Sequence, residues 1–98
     1  MLDAERIRVA KIKRTRRQII DALKMYGTDP MSFREICTVF PAVQTGHLEY
    51  DMDALVKEGY VQVVNERPNM RPEDREYELT AEGIKIADRI NVDPDLEP

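Results

Sequence analysis

Residues 3–26 contain neither proline nor glycine, and Gly27 closes them. Within the segment Val9, Ile12, Ile19, Leu23 and Tyr26 follow a three–four spacing, with Arg16 in the one slot where an apolar residue is missing. That stripe predicts a helix. Ile20 widens it, whereas Lys13, Arg14, Arg17 and Lys24 lie off it. The pattern fits a continuous helix, and equally a flexible arm followed by a helix from about Thr15. The sequence Gly27-Thr28-Asp29-Pro30 then breaks the chain.

Ser32 and Glu35 have the spacing of a capping box, just ahead of Phe33, Ile36, Cys37, Val39 and Phe40. A helix of about two turns is predicted there, ended by Pro41. A short loop, PAVQTG, leads into a third helix from Thr45 or Gly46 to Glu58, with Leu48, Met52, Leu55 and Val56 on its inner face. Gly59 stands where a left-handed cap is expected. The period then changes. YVQVV, starting at Tyr60, is rich in β-formers, and REYELT, residues 75–80, alternates polar with apolar. NERPNMRPED lies between them, so a two-stranded hairpin with a long irregular tip is expected. Thr80 caps a last helix with Ile84, Ile86, Ala87 and Ile90 as its apolar positions, and an acidic, proline-punctuated tail follows.

The predicted order is helix, helix, helix, strand, strand, helix. A short turn between the second and third helices makes a helix-turn-helix, and the hairpin after them makes it winged. The fold class is therefore α+β, mainly α: a winged helix-turn-helix with a three-helix core, a two-stranded wing and a C-terminal helix. Its expected core is Ile19, Ile20, Leu23, Ile36, Phe40, Leu48, Met52, Leu55, Val61, Val63, Tyr77, Leu79, Ile84 and Ala87.

Length and composition narrow the function. The chain has 98 residues, enough for one domain, and 42% hydrophobic residues, too many for a disordered chain. No apolar run approaches a membrane span, and the basic, interrupted N-terminus lacks the apolar stretch of a signal peptide. A single cysteine, Cys37, excludes an internal disulfide and fits a reducing, cytoplasmic setting. With one histidine and one cysteine, a Cys/His zinc site is not expected. His47 and Asp51 share an i, i+4 spacing but have no third ligand in the motif. Cys37 reads as a core residue. There is no Gly-rich phosphate loop and no catalytic constellation. The expectation is a non-enzyme with no cofactor and no metal.

Charge is unevenly placed. Arg6, Arg8, Lys11, Lys13, Arg14, Arg16 and Arg17 face only Asp3 and Glu5 in the first 17 residues, yet the whole chain carries −4. The expected organisation is a basic N-terminal arm or helix extension over 1–14, the winged domain over 15–90 and an acidic tail over 91–98. A basic arm on an acidic body is one way to reach nucleic-acid phosphates.

HLEYDMDALVKEGYVQVV followed by YELTAEGIKIADRI resembles winged-helix regulators of the ArsR, MarR and PadR kind. Leu55, Gly59, Tyr60 and Val61 match the end of their third helix and the start of their wing. Tyr77, Leu79, Thr80 and Gly83 match the return strand and last helix. The similarity covers residues 15–90. A narrower resemblance, through LTAEGIKIADRINVDP, is to the small winged-helix proteins of Mu-like prophages, which would imply a phage-associated role.

The resemblance implies a small transcriptional regulator bound to double-stranded DNA, with the third helix in the major groove and the wing on the flanking groove or backbone. Lys13, Arg14, Arg16 and Arg17 would anchor phosphates; Arg16, lying in the apolar seam, has the competing reading of a paired side chain. On a helical wheel Glu49, Tyr50, Asp53 and Lys57 face outward, with Gly46 and His47 at the helix start and Asp51 on the flank. His47, Tyr50 and Lys57 are the candidate groove contacts, and Arg67 and Arg71 the candidate wing contacts. The acids on this helix suit phosphate poorly, although a carboxylate can accept from cytosine N4 and acids in a first turn favour the helix dipole. They support an alternative function: a protein-interaction module docking a basic protein partner, as in a phage assembly or accessory role. The N-terminal stripe also suggests a homodimer.

Overall fold

The N-terminal stripe folds as two helices, α1 (Ala4–Lys11) and α2 (Arg14–Met25). The computed structural model describes residues 4–26 and 29–92. Gly27, the expected helix stop, and residues 93–98 of the expected acidic tail lie outside the described residues. No proline or glycine causes the interruption at Ile12 and Lys13. Ile12 donates back to the Val9 carbonyl at 3.1 Å, and Lys13 is extended (φ −58°, ψ 145°). The kink lets Val9 and Ile12 both enter the core beside Ile19, Ile20 and Leu23. Arg8 on α1 donates to the Tyr60 hydroxyl at 3.2 Å and lies 3.5 Å from Glu82.

Strand β1 (Met31–Ser32) precedes α3 (Phe33–Val39). The capping box is formed: the Glu35 amide donates to Ser32 Oγ at 3.1 Å, and the Ser32 amide to Glu35 Oε1 at 3.0 Å. After a short turn comes α4 (Thr45–Lys57), whose Leu48, Met52 and Leu55 are fully buried. Gly59 adopts φ +87°, the left-handed stop. Strands β2 (Val61–Val63) and β3 (Glu76–Leu79) form the wing, and α5 (Ala81–Val92) follows. The Gly83 amide donates to Thr80 Oγ1 at 3.1 Å, so Thr80 is the cap of α5.

The sheet has three strands, in the order β1-β3-β2, all antiparallel. The expected two-stranded wing thus gains an edge strand. Met31 pairs with Tyr77, which also pairs with Val63 on its other side. Beyond Val63 the ladder ends in a side-chain clasp. Asn65 accepts from the Glu76 amide at 2.8 Å and donates to the Asp74 carbonyl at 3.0 Å and the Glu76 carboxylate at 3.1 Å. A short 3₁₀ turn, Pro72–Asp74, leads back into β3. The architecture is mainly helical α+β, a winged helix with a three-stranded antiparallel sheet.

Four members of the expected core are not buried, and Val9, Ile12, Met31, Phe33, Tyr60 and Ile86 join it. Ile84 is 41% exposed and Ile86 is buried in its stead. Residues 83, 86, 87 and 90 share one face of α5, and position 84 points away from it. Phe40, Val63 and Leu79 are only partly buried, packed against the rim of the core. Cys37 is half-buried beside them.

Tyr77 gives the fold a pH limit. Burial pushes its phenol above the ordinary tyrosine value, and a hydrogen bond from Arg75 offsets part of this. A raised folded value means full stability below about pH 10 and loss as pH rises from there through the folded value. The wild type should therefore lose more melting temperature than Tyr77→Phe between pH 9 and pH 11. Equal losses in calorimetry would show that Tyr77 is not the titrating group.

Candidate nucleic-acid interface

Helices α3 and α4 are joined by residues 40–44, and the burial of Leu48, Met52 and Leu55 fixes which side of α4 faces out. His47, Glu49, Tyr50, Asp53 and Lys57 are all exposed, with Tyr50 at 66%. Gly46, in the first turn, has open space where a Cβ would stand. This is the outward face expected from the wheel.

The acids of α4 are not all loose charges. Asp51 accepts from Arg16 Nε at 3.0 Å, and both side chains are nearly buried. The same guanidinium lies 3.7 Å from Glu58 and 5.6 Å from the Tyr50 ring centroid. Arg16 therefore ties α2 to the flank of α4 at three residues. Asp53 lies 3.9 Å from Arg75, which also reaches Glu66 at 3.5 Å, a looser pairing in solvent. The Glu49 side chain makes no hydrogen bond or ion pair among the described residues, though its charge acts on Tyr77.

The basic arm does not stand together on the surface. Lys13 and Arg14 are exposed, but Arg16 and Arg17 are 8% and 4% exposed. Arg17 lies at the α1–α2 elbow and donates to the Val9 carbonyl at 3.4 Å, while its Nε is buried with no hydrogen-bond partner among the described residues. It serves the C-terminal end of α1, where a cation complements the helix dipole. The seam position of Arg16 and the crowding at the kink take both arginines inward.

At the wing, Arg71 is held by Asp74 at 3.1 Å and Glu73 at 3.6 Å. Arg67 is exposed, and its side chain makes no hydrogen bond or ion pair among the described residues. Asn69 sits beside it in the left-handed region (φ 63°). The side chains of Lys13, Lys57 and His47 are likewise exposed without such partners among the described residues. The structure thus brings His47, Tyr50 and Lys57 onto one helix face, with Arg67 and Arg71 on the wing and Lys13 and Arg14 at the start of α2. The Arg16–Asp51–Glu58 network was not visible in the sequence beyond the odd placement of Arg16. The Arg75 bridge from wing to α4 left no sequence signal. Engagement of Asp51 by Arg16 also removes it as a partner for His47 in holding a metal. Among the described residues no three His, Cys, Asp or Glu side chains cluster for a metal ion, and no helix is long and apolar enough to cross a membrane.

No family model matches the sequence, and no curated protein matches it. Solved structures do match in fold. The reduced form of MarR from E. coli superposes with a TM-score of 0.70 at 23% identity, covering 87% of this chain and 60% of that one. Staphylococcus aureus MarR, in complex with salicylate and kanamycin, gives 0.75 at 16% identity, covering 92% and 57%. An E. coli MarR cysteine-to-serine mutant complexed with operator DNA gives 0.70 at 21% identity, covering 93% and 68%. The chain spans less than two thirds of the first two. At these identities the likeness is one of fold: the chain has the winged helix of MarR regulators. The phage association finds no support among these matches.

Proposed function

We propose that the protein binds double-stranded DNA as a small transcriptional regulator. The reading rests on one observation: α4 presents His47, Tyr50 and Lys57 outward while two of its acids, Asp51 and Asp53, are matched by Arg16 and Arg75. The fold adds weight, since a MarR protein of the same fold is complexed with operator DNA. In this reading α4 enters the major groove and the wing lies on the flanking backbone. Phosphate contact falls to Lys13, Arg14, Lys57, Arg67 and Arg71. Arg16 and Arg17 act behind them, by holding α2 against α4 and α1. A cytoplasmic setting and the absence of enzymatic activity go with the proposal. So does a homodimer, but not through the apolar stripe, because Val9, Ile12, Ile19 and Leu23 are spent in the chain's own core. A second copy would meet the outer side of α1, where Ile7 is exposed.

The test is fluorescence anisotropy of a mixed-sequence duplex at about 50 and about 200 mM salt. Each phosphate contact contributes roughly 0.9 to the log–log salt slope. A Lys13, Lys57, Arg67→Ala triple mutant should lower the slope by roughly two to three units. Absence of binding at the lower salt would sink the proposal. The second reading, docking of a basic protein, would then stand on the net charge of −4 and the unpaired Glu49 on α4.

A further inference from the structure

We infer that Glu49 reads a base, selecting a cytosine amino group in the major groove. The inference rests on the DNA reading above and gives one acidic residue a sequence-specific task within it. Among the acids of α4, Asp51 is bound to Arg16 and Asp53 faces Arg75, and Glu58 just past the helix lies beside the Arg16 guanidinium. The Glu49 side chain alone makes no hydrogen bond or ion pair among the described residues, and it stands exposed in the first half of the helix, next to Tyr50 in sequence and on the flank whose charge reaches Tyr77. The first half of a reading helix is the part that meets base edges.

A free carboxylate carried to DNA has few favourable places. Phosphates repel it, and loss of its water is costly unless a donor replaces it. The major groove offers two amino donors, cytosine N4 and adenine N6. Adenine sets its N7 acceptor beside that amino group, which repels a group that only accepts. Cytosine has no acceptor of its own on that edge, so it is the preferred partner. Gly46, with open space at its Cβ position, removes bulk one turn before Glu49 and lets the helix start approach closely.

Glutamine at the same position would change the preference, because an amide both donates and accepts and pairs with adenine N6 and N7. The experiment is selection from a random duplex library by wild type, Glu49→Ala and Glu49→Gln, followed by anisotropy on the selected duplexes. The wild type should select a cytosine that Glu49→Ala ceases to prefer, with a loss of about tenfold in discrimination at that position. Glu49→Gln should move the preference there to adenine. Melting temperature should change little, since the Glu49 side chain makes no hydrogen bond or ion pair among the described residues and acts only through its charge on Tyr77, and the salt slope should not fall. The same motif selected by wild type and Glu49→Ala, or no cytosine selected by the wild type, would overturn the inference and leave DNA binding standing. Failure of all three proteins to bind any duplex would overturn the DNA reading itself.

Discussion

Gly83→Ala is expected to cost about 3 kcal/mol or more and to lower the melting temperature by roughly 10–20 °C. A Cβ at Gly83 would overlap the Tyr60 carbonyl oxygen and come within 3.1 Å of Leu79 Cδ2. The obstacle is backbone, so no side-chain rotation relieves it. That carbonyl also accepts from the Thr80 amide at 3.1 Å, while the Thr80 hydroxyl reaches the Gly59 carbonyl at 2.6 Å. Pushing α5 away would therefore loosen its own cap and the last pair of the sheet together. A domain of this size holds only about 5–15 kcal/mol in reserve, so the loss is a large share. Gly46→Ala is the matched control. It enters open space in the first turn of α4 and should be neutral or stabilising by up to about 1 kcal/mol. Thermal melts followed by circular dichroism compare the two. A Gly83→Ala protein melting within a few degrees of wild type would mean that α5 does not approach Tyr60 this closely.

Arg16→Met is expected to cost about 3 kcal/mol, and Asp51→Leu in the same background should recover part of it. Removing the guanidinium leaves the Asp51 carboxylate nearly buried without its partner, and an uncompensated charge is worse than none. It also removes the tether to Glu58 and the cation over Tyr50. Urea denaturation of both single mutants and the double mutant closes a cycle, with a coupling expected above about 1 kcal/mol. Additive single effects would show that the two side chains act independently. On DNA, Arg16→Met should weaken binding without lowering the salt slope, since Arg16 supports α4 from behind. A lower slope would instead place Arg16 on a phosphate.

Features written in consecutive residues were legible. Ser32 with Glu35, Thr80 ahead of α5 and Gly59 after α4 are local chemistry, and each stands where the sequence placed it. The outward face of α4 followed from 3.6-residue periodicity once Leu48, Met52 and Leu55 marked the inside. What stayed hidden depends on distant partners. Strand β1 is two residues long and exists only because Tyr77 and Glu76 lie alongside. The break at Ile12 has no sequence marker, because core packing and the Arg17 guanidinium make it tolerable. Ile84 and Ile86 look alike in the sequence, and only the close seating of Gly83 on Tyr60 decides which one turns inward. In the candidate interface, the outward residues of α4 could be read, whereas the inward turn of Arg16 and Arg17 could not. Charge runs do not disclose which members have a carboxylate or a carbonyl waiting across the fold.

The Asn65 clasp separates the wing into two parts with different evolutionary freedom. Because Asn65 fixes both the Glu76 amide and the Asp74 carbonyl, strand register is set at the base of the hairpin and not by the residues of its tip. Insertions or deletions among residues 66–73 would leave the pairing of Val61 with Leu79 and of Val63 with Tyr77 untouched. Doubling a flexible loop adds only about 0.6 kcal/mol of closure cost. The wing can thus change length and lose or gain a basic residue such as Arg67 while the core remains the same, so divergence among proteins built on this plan should accumulate at the tip.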